Sequence, residues 1–381
     1  VGVNVDNERF SRRTHGLASW RLLLIPLWPY STFAGPRSSP AEAGFASRPT
    51  LAYILPYILT VNLPIGGDQP TGASMTDARI SALHSVELGV PDVASTAKFF
   101  TETWGLTQAA ADNGSLYLRG TGPNHHIVAL HPRSRPELLR INLATADKSA
   151  VDALGGKVKV AGIGAGIDQV GDPAALERPG GGYGFAFKDV EGRNLAVVAE
   201  IETHADTADL SDRPRKLSHV VLNSDATDDT IGFFTGVLGF TLVDQTKMLN
   251  FLRCNSDHHT IAFANGGGAG LHHVAYELPD IESLMLGVGR MRDSGWNVDW
   301  GVGRHGPGNN VFSYFVGPDD MVIEYTAEVM QVDETYQPGG PDDWGFLPGR
   351  TDQWGVTDPP SDRLKAVHGK VGFADSLDIP A

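Results

Sequence analysis

The sequence predicts an α+β fold assembled from one module used repeatedly: a strand, an amphipathic helix and three further strands. Three observations predict it. From Met75 onward the chain repeats itself. Each copy has apolar stretches of strand period around a helix that ends on a Gly, and tight-turn sequences recur at matching places in both copies.

In the first copy, Ile80-Ser81-Ala82-Leu83-His84-Ser85-Val86-Glu87-Leu88 is the opening strand. The helix carries Ala97-Lys98-Phe99-Phe100 and stops at Trp104-Gly105-Leu106. Asn124-His125-His126-Ile127-Val128-Ala129-Leu130 is a strand after a turn, and Asp189-Val190-Glu191-Gly192-Arg193 turns between the last two strands. The second copy gives the same elements as Lys216-Leu217-Ser218-His219-Val220-Val221-Leu222, Ile231-Gly232-Phe233-Phe234, Leu238-Gly239-Phe240, Asp257-His258-His259-Thr260-Ile261-Ala262-Phe263 and Gly317-Pro318-Asp319-Asp320-Met321. It halves again, since Leu217-Ser218-His219-Val220-Val221 resembles Leu271-His272-His273-Val274-Ala275 and both lead through an acidic turn into a helix. Four modules result. The expected division is an N-terminal extension at 1–75, a first domain at 76–205, a second at 206–335 and a Pro/Gly-rich tail at 336–381, whose two Trp residues, Trp344 and Trp354, are expected to pack on the second domain.

Composition narrows the function. The 381 residues carry 41% hydrophobic side chains and a formal charge of -15, so neither a basic nucleic-acid surface nor an anionic membrane is an expected partner. The single cysteine, Cys254, forms no intrachain disulfide, which fits a reducing compartment, the cytoplasm. Residues 1–74 differ from the rest in having no Lys, no Met and six Arg against four acids. Their apolar runs are broken by prolines and fall short of the roughly 18–20 residues of a membrane span. An export signal or an extra domain are the other readings of this segment; the expected one is a disordered extension translated from upstream of a natural start at Met75.

The chemistry concentrates near the end. Gly303-Arg304-His305, Asn309-Asn310-Val311-Phe312-Ser313-Tyr314-Phe315 and Gly317-Pro318-Asp319-Asp320-Met321-Val322-Ile323-Glu324-Tyr325 follow one another. This order of His, Tyr and Glu resembles the motif of the type I extradiol ring-cleavage dioxygenases, and the repeated module resembles the βαβββ unit of the vicinal oxygen chelate superfamily over about residues 78–330. The resemblance implies two similar domains, each an open barrel-like sheet with outer helices, with a metal only in the second. It implies His219, His273 and Glu324 as metal ligands, a set that only a fold can assemble because 54 and 51 residues separate them. Two imidazoles and one carboxylate suit Fe(II), with Mn(II) possible on the same ligands. His259 is implied as the acid-base residue, and His305 and Tyr314 as residues that hydrogen-bond a catechol-type diol. Ser313 and Gly317 depart from the family motif and leave the shape of the substrate open.

In the first copy Arg140 stands for His273 and Ala196 for Glu324, so that half is expected as a metal-free scaffold within a homo-oligomer, with His84, His125 and His126 structural. Two rival functions are a non-redox lyase or epimerase of the same superfamily, which would lack the His305–Tyr314–Glu324 motif, and a non-catalytic binder of aromatic compounds, which needs no metal ligands.

Overall fold

In the computed structural model, which describes residues 78–165, 167 and 169–378, strand β1 (Ile80–Val90) lies at the centre of a first sheet. Its residues from Leu83 to Val90 are all buried, as in a strand covered on both faces. The expectation for residues 1–75 lies outside the described residues. Helix α1 (Val93–Lys98) starts where the Asp92 side chain accepts from the Ser95 backbone N–H, and a wider helical turn over Phe99–Trp104 carries it on to Gly105. Gly105 has φ +97°, a left-handed conformation, and a Cβ there would fall 2.8 Å from an Arg290 guanidinium nitrogen.

Strands β2 (Thr107–Asp112), β3 (Ser115–Arg119) and β4 (Val128–Pro132) complete the first module. The second runs β5 (Glu137–Thr145), α2 (Lys148–Ala165), β6 (Ala174–Ala175), β7 (Tyr183–Lys188) and β8 (Asn194–Ala199). The sheet order is β2-β3-β4-β1-β5-β8-β7-β6, with β1 parallel to β4 and antiparallel to β5, so the two modules meet side by side.

The second sheet repeats this plan with β9 (Lys216–Ser224), α3 (Thr227–Gly236), β10 (Thr241–Gln245), β11 (Leu249–Arg253), β12 (Ile261–Glu277), α4 (Ile281–Asp293), β13 (Trp300–Arg304), β14 (Val311–Val316) and β15 (Val322–Ala327). Long β12 does the work of two strands. Gly266, Gly267 and Gly268, all at positive φ, turn it back, so that residues 261–264 run alongside β9 in the same direction and 271–277 return along it in the opposite one. Both sheets are open, and the fold is the expected α+β arrangement of βαβββ modules.

The halves share one buried apolar core. Trp104, fully buried, stacks on Tyr325 of β15 at 3.7 Å and meets Tyr276 and Phe315 edge-on. Arg290 of α4 donates to the carbonyls of Thr103 and Trp104 at 2.7 and 3.0 Å.

In the tail, the Trp344 ring lies over the loop between β13 and β14, where a Cβ at Gly306 would fall 3.2 Å from it, and the Arg304 guanidinium lies 5.0 Å from the Trp354 ring centre. Both Trp residues therefore sit against the second sheet or its adjoining loops. The tail also reaches beyond the second domain. After α5 (Asp362–Val367) it returns to the first sheet, where Leu138 bonds to Gly372 and Ala374, and the Asn194 amide donates to the carbonyls of Ala374 and Ser376, both at 2.8 Å. No helix among the described residues is long and apolar enough to cross a membrane.

Candidate metal centre

Strand register explains why three distant residues meet. Ala275 of β12 pairs with His219 of β9 on one side and with Glu324 of β15 on the other. Directly paired residues share a face, so His219 and Glu324 flank the strand at one level, and His273, two residues along β12, points the same way. His219 Nε2 lies 3.3 Å and His273 Nε2 3.2 Å from Glu324 Oε2, and the two nitrogens are 3.4 Å apart. All three side chains are buried, and no other His, Cys, Asp or Glu group among the described residues has comparable spacing.

These residues fit a metal ion. Glu324 is completely buried, yet neither carboxylate oxygen receives a hydrogen bond, because the imidazoles stand at ion-pair distance without donor geometry. A buried carboxylate left so is costly unless a cation meets it. Burial alone would raise its pKa, but the neighbouring imidazoles, His219 foremost, hold it well below the usual carboxylate range. The remaining ring nitrogens are braced: His219 Nδ1 lies 3.1 Å from Ser218 Oγ and His273 Nδ1 2.7 Å from His272 Nδ1. Such contacts orient ligating imidazoles. His272 is the unpaired residue where the β9–β12 register shifts between Leu271 and His273, and this bulge lets adjacent rings approach where strict alternation would send them to opposite faces.

Three further side chains face this centre. Tyr314 pairs with Glu324 across β14 and β15, and Trp300 with Tyr314 across β13 and β14. His305, just beyond β13, has Nε2 3.0 Å from the Tyr314 hydroxyl, and its ring stacks on Phe312 at 3.9 Å. Burial brings His305 down to about 4 against the opposing charge of Glu324. Burial, then the Glu324 charge, pushes the Tyr314 hydroxyl well above its ordinary value, so at neutral pH it keeps its proton. The His259 ring lies 4.2 Å from that of His219; burial and surrounding imidazoles hold it well below the usual histidine value. The structure thus brings together all six residues picked out in the sequence.

The same register locates their counterparts in the first sheet. Asn142 of β5 pairs with Ser85 and with Ala196 as Ala275 pairs with His219 and Glu324, so Ser85, Arg140 and Ala196 occupy the positions that correspond to His219, His273 and Glu324. Beside them lies Glu87, which accepts from Asn142 at 2.9 Å and from Arg178 and lies 3.2 Å from His131 Nε2. His84 bonds to Ser85 at 2.9 Å, and His125 to His126 at 3.0 Å.

Two further residues, Asp244 and His258, are not marked as functional by the sequence motifs. Both are completely buried beside the centre, with Asp244 Oδ2 2.8 Å from His258 Nε2 and His258 Nδ1 3.1 Å from His259 Nδ1. An acid placed within the apolar strand Thr241-Leu242-Val243-Asp244 was the available signal.

Residues 216–325 match the Glyoxalase/Bleomycin resistance protein/Dioxygenase superfamily. The chain is similar to the crystal structure of a Mn(II)-bound glyoxalase from Novosphingobium aromaticivorans, with 37% identity and a TM-score of 0.70, covering 75% of this chain and 94% of that one. It is also similar to metapyrocatechase 2 of Cupriavidus necator, 33% identical over 119 residues, which make up 30% of this chain and only 37% of that enzyme. Similarity to the biphenyl-2,3-diol 1,2-dioxygenase of Metapseudomonas furukawaii is lower, 25% over 294 residues, but spans 70% of this chain and 93% of the relative.

Proposed function

We propose, for a chain that belongs to the Glyoxalase/Bleomycin resistance protein/Dioxygenase superfamily, that it opens the aromatic ring of a catechol-type substrate beside its diol. His219, His273 and Glu324 would hold Fe(II), or Mn(II) in its place. When bound, the metal supplies electronic coupling between a chelated diol and dioxygen. One carbon–carbon bond breaks and each of its carbons gains one oxygen, so both atoms of O2 enter the product.

The chain's own residues supply position and protons. The His305–Tyr314 hydrogen bond puts two polar groups beside the ligands, where they orient the diol oxygens. Trp300 and Phe312 wall this side with aromatic surface. His259 exchanges protons at Nε2, which forms no hydrogen bond among the described residues. The first sheet, with Ser85, Arg140 and Ala196 at the ligand positions, serves as scaffold and contact surface for a homo-oligomer.

The observation that carries this reading is the convergence of His259, His305 and Tyr314 on the one His219–His273–Glu324 group. The test is to load the protein anaerobically with Fe(II), add catechol, 3-methylcatechol or 2,3-dihydroxybiphenyl, and admit ¹⁸O-labelled dioxygen. A yellow product carrying two labelled oxygens supports the proposal, and unchanged diol with no oxygen uptake refutes it. The similarity to a Mn(II)-bound glyoxalase favours a second reading, metal-assisted chemistry without oxygen, which would give turnover of a non-aromatic carbonyl substrate under strict anaerobiosis.

A further inference from the structure

Strand β10 sends Asp244 into the interior, where three donors converge on its carboxylate. His258 Nε2 lies 2.8 Å from Oδ2, the Tyr336 hydroxyl donates to Oδ2 at 3.0 Å, and the Gly339 backbone N–H donates to Oδ1 at 2.7 Å. Two of these donors come from the start of the tail, so residues outside the repeated modules fix this acid in place. Asp244 and His258 are both completely buried.

Hydrogen-bond direction then follows. A carboxylate only accepts, so His258 must carry its proton on Nε2, and in a neutral ring this makes Nδ1 an acceptor. Facing it at 3.1 Å is His259 Nδ1, which must therefore donate. The second nitrogen of His259 is left with its lone pair, on the ring that lies against His219.

We propose that Asp244 and His258 are positioning residues that fix the tautomer of His259, so that its Nε2 presents a lone pair to the substrate and its Nδ1 keeps the proton. The inference rests on the acid-base role given to His259 above. It differs from an aspartate–histidine pair in passing the orienting hydrogen bond through a second imidazole. Its logic is the same, because an imidazole held in the wrong tautomer offers an N–H where the chemistry needs a lone pair.

Two measurements test it. The first is ¹⁵N-histidine NMR of the full chain loaded with diamagnetic zinc, which distinguishes the two tautomers without any turnover. His259 protonated on Nδ1 is expected in the wild type, with that signal lost or mixed in Asp244→Asn; protonation on Nε2 in the wild type overturns the proposal. The second is ring-cleavage kinetics. Asp244→Asn should lower kcat about 10²-fold, the usual scale for a displaced acid or base, with KM and metal content unchanged. The double variant Asp244→Asn/His259→Phe should be no slower than His259→Phe alone, because a residue acting through another adds nothing once that other is gone. Multiplying effects would show a structural role instead.

Should Asp244→Asn fail to fold, His258 carries the same test. His258→Gln keeps a donor toward Asp244 and an acceptor toward His259, and should recover at least tenfold in kcat over His258→Leu. Equal rates for the two would overturn the proposal. Undiminished turnover in His259→Phe would refute the role of His259 itself, an outcome distinct from a wild-type rate in Asp244→Asn.

Discussion

Replacing Trp104 with Ala should destabilise both halves of the protein in one transition. The indole belongs to the first repeat, yet it is 0% exposed, stacks on Tyr325 at 3.7 Å and touches Tyr276 and Phe315 edge-on. Truncating such a side chain costs about 3–5 kcal/mol through lost transfer energy and the cavity left behind. Each aromatic pair adds roughly 0.5–1.5 kcal/mol beyond its area. At the lower end of the ~2–4 °C per kcal/mol expected for larger domains, Tm should fall by about 8 °C or more. Trp104→Phe should cost far less, because the indole N–H has no acceptor to lose. Circular dichroism melts and urea titrations of metal-free protein would read both. A Tm within about 2 °C of wild type for Trp104→Ala, or two separated transitions in the wild type, would refute the shared core.

Metal content by elemental analysis should fall by at least about tenfold in His219→Ala, His273→Ala and Glu324→Ala; His272→Ala, which removes a brace and no ligand, should retain metal at a reduced affinity, about 10–100-fold weaker. His259→Phe should keep its metal and substrate binding but turn over about 10²-fold more slowly, and simultaneous loss of metal would instead make His259 a ligand. Burial, with Arg178 and His125, holds His84 at about 3 rather than the ordinary 6.5. Between those values the unfolded chain binds a proton that the folded one does not. Stability supplied by the neutral form is therefore full above about pH 6.5 and declines as pH falls, by about 1.4 kcal/mol per pH unit for this one group. His84→Gln should flatten the pH dependence of urea unfolding across that window, and an unchanged slope would refute the assignment.

The modules were legible because their period is local: alternation marks a strand, a Gly marks a helix end, and both recur at fixed places in two copies. The meeting of His219, His273 and Glu324 was legible only through the order of motifs, since separations of 54 and 51 positions set no distance in space. Physically it depends on Ala275, an unremarked residue that pairs with strands on both sides. Asp244 was missed because a lone acid in a strand ordinarily faces water; its three donors come from residues 258, 336 and 339, well away in sequence. The close contact of His272 with His273 needed a bulge, and a one-residue register shift leaves no mark on composition. Tail pairing with the first sheet was illegible too, for Phe373 and Ala374 form only isolated backbone contacts without strand-like alternation.

That returning tail has a consequence for how the protein is made. Translation delivers the first repeat early, and domains generally begin folding in the order they emerge. Asn194, completely buried in that repeat, has three carbonyl acceptors for its amide: Leu139 is already present, but Ala374 and Ser376 are about 180 residues away and still unsynthesised. A ribosome-bound chain that has not yet delivered residues 374–376 therefore holds an incomplete first sheet, and the first repeat is finished only after the second has been made.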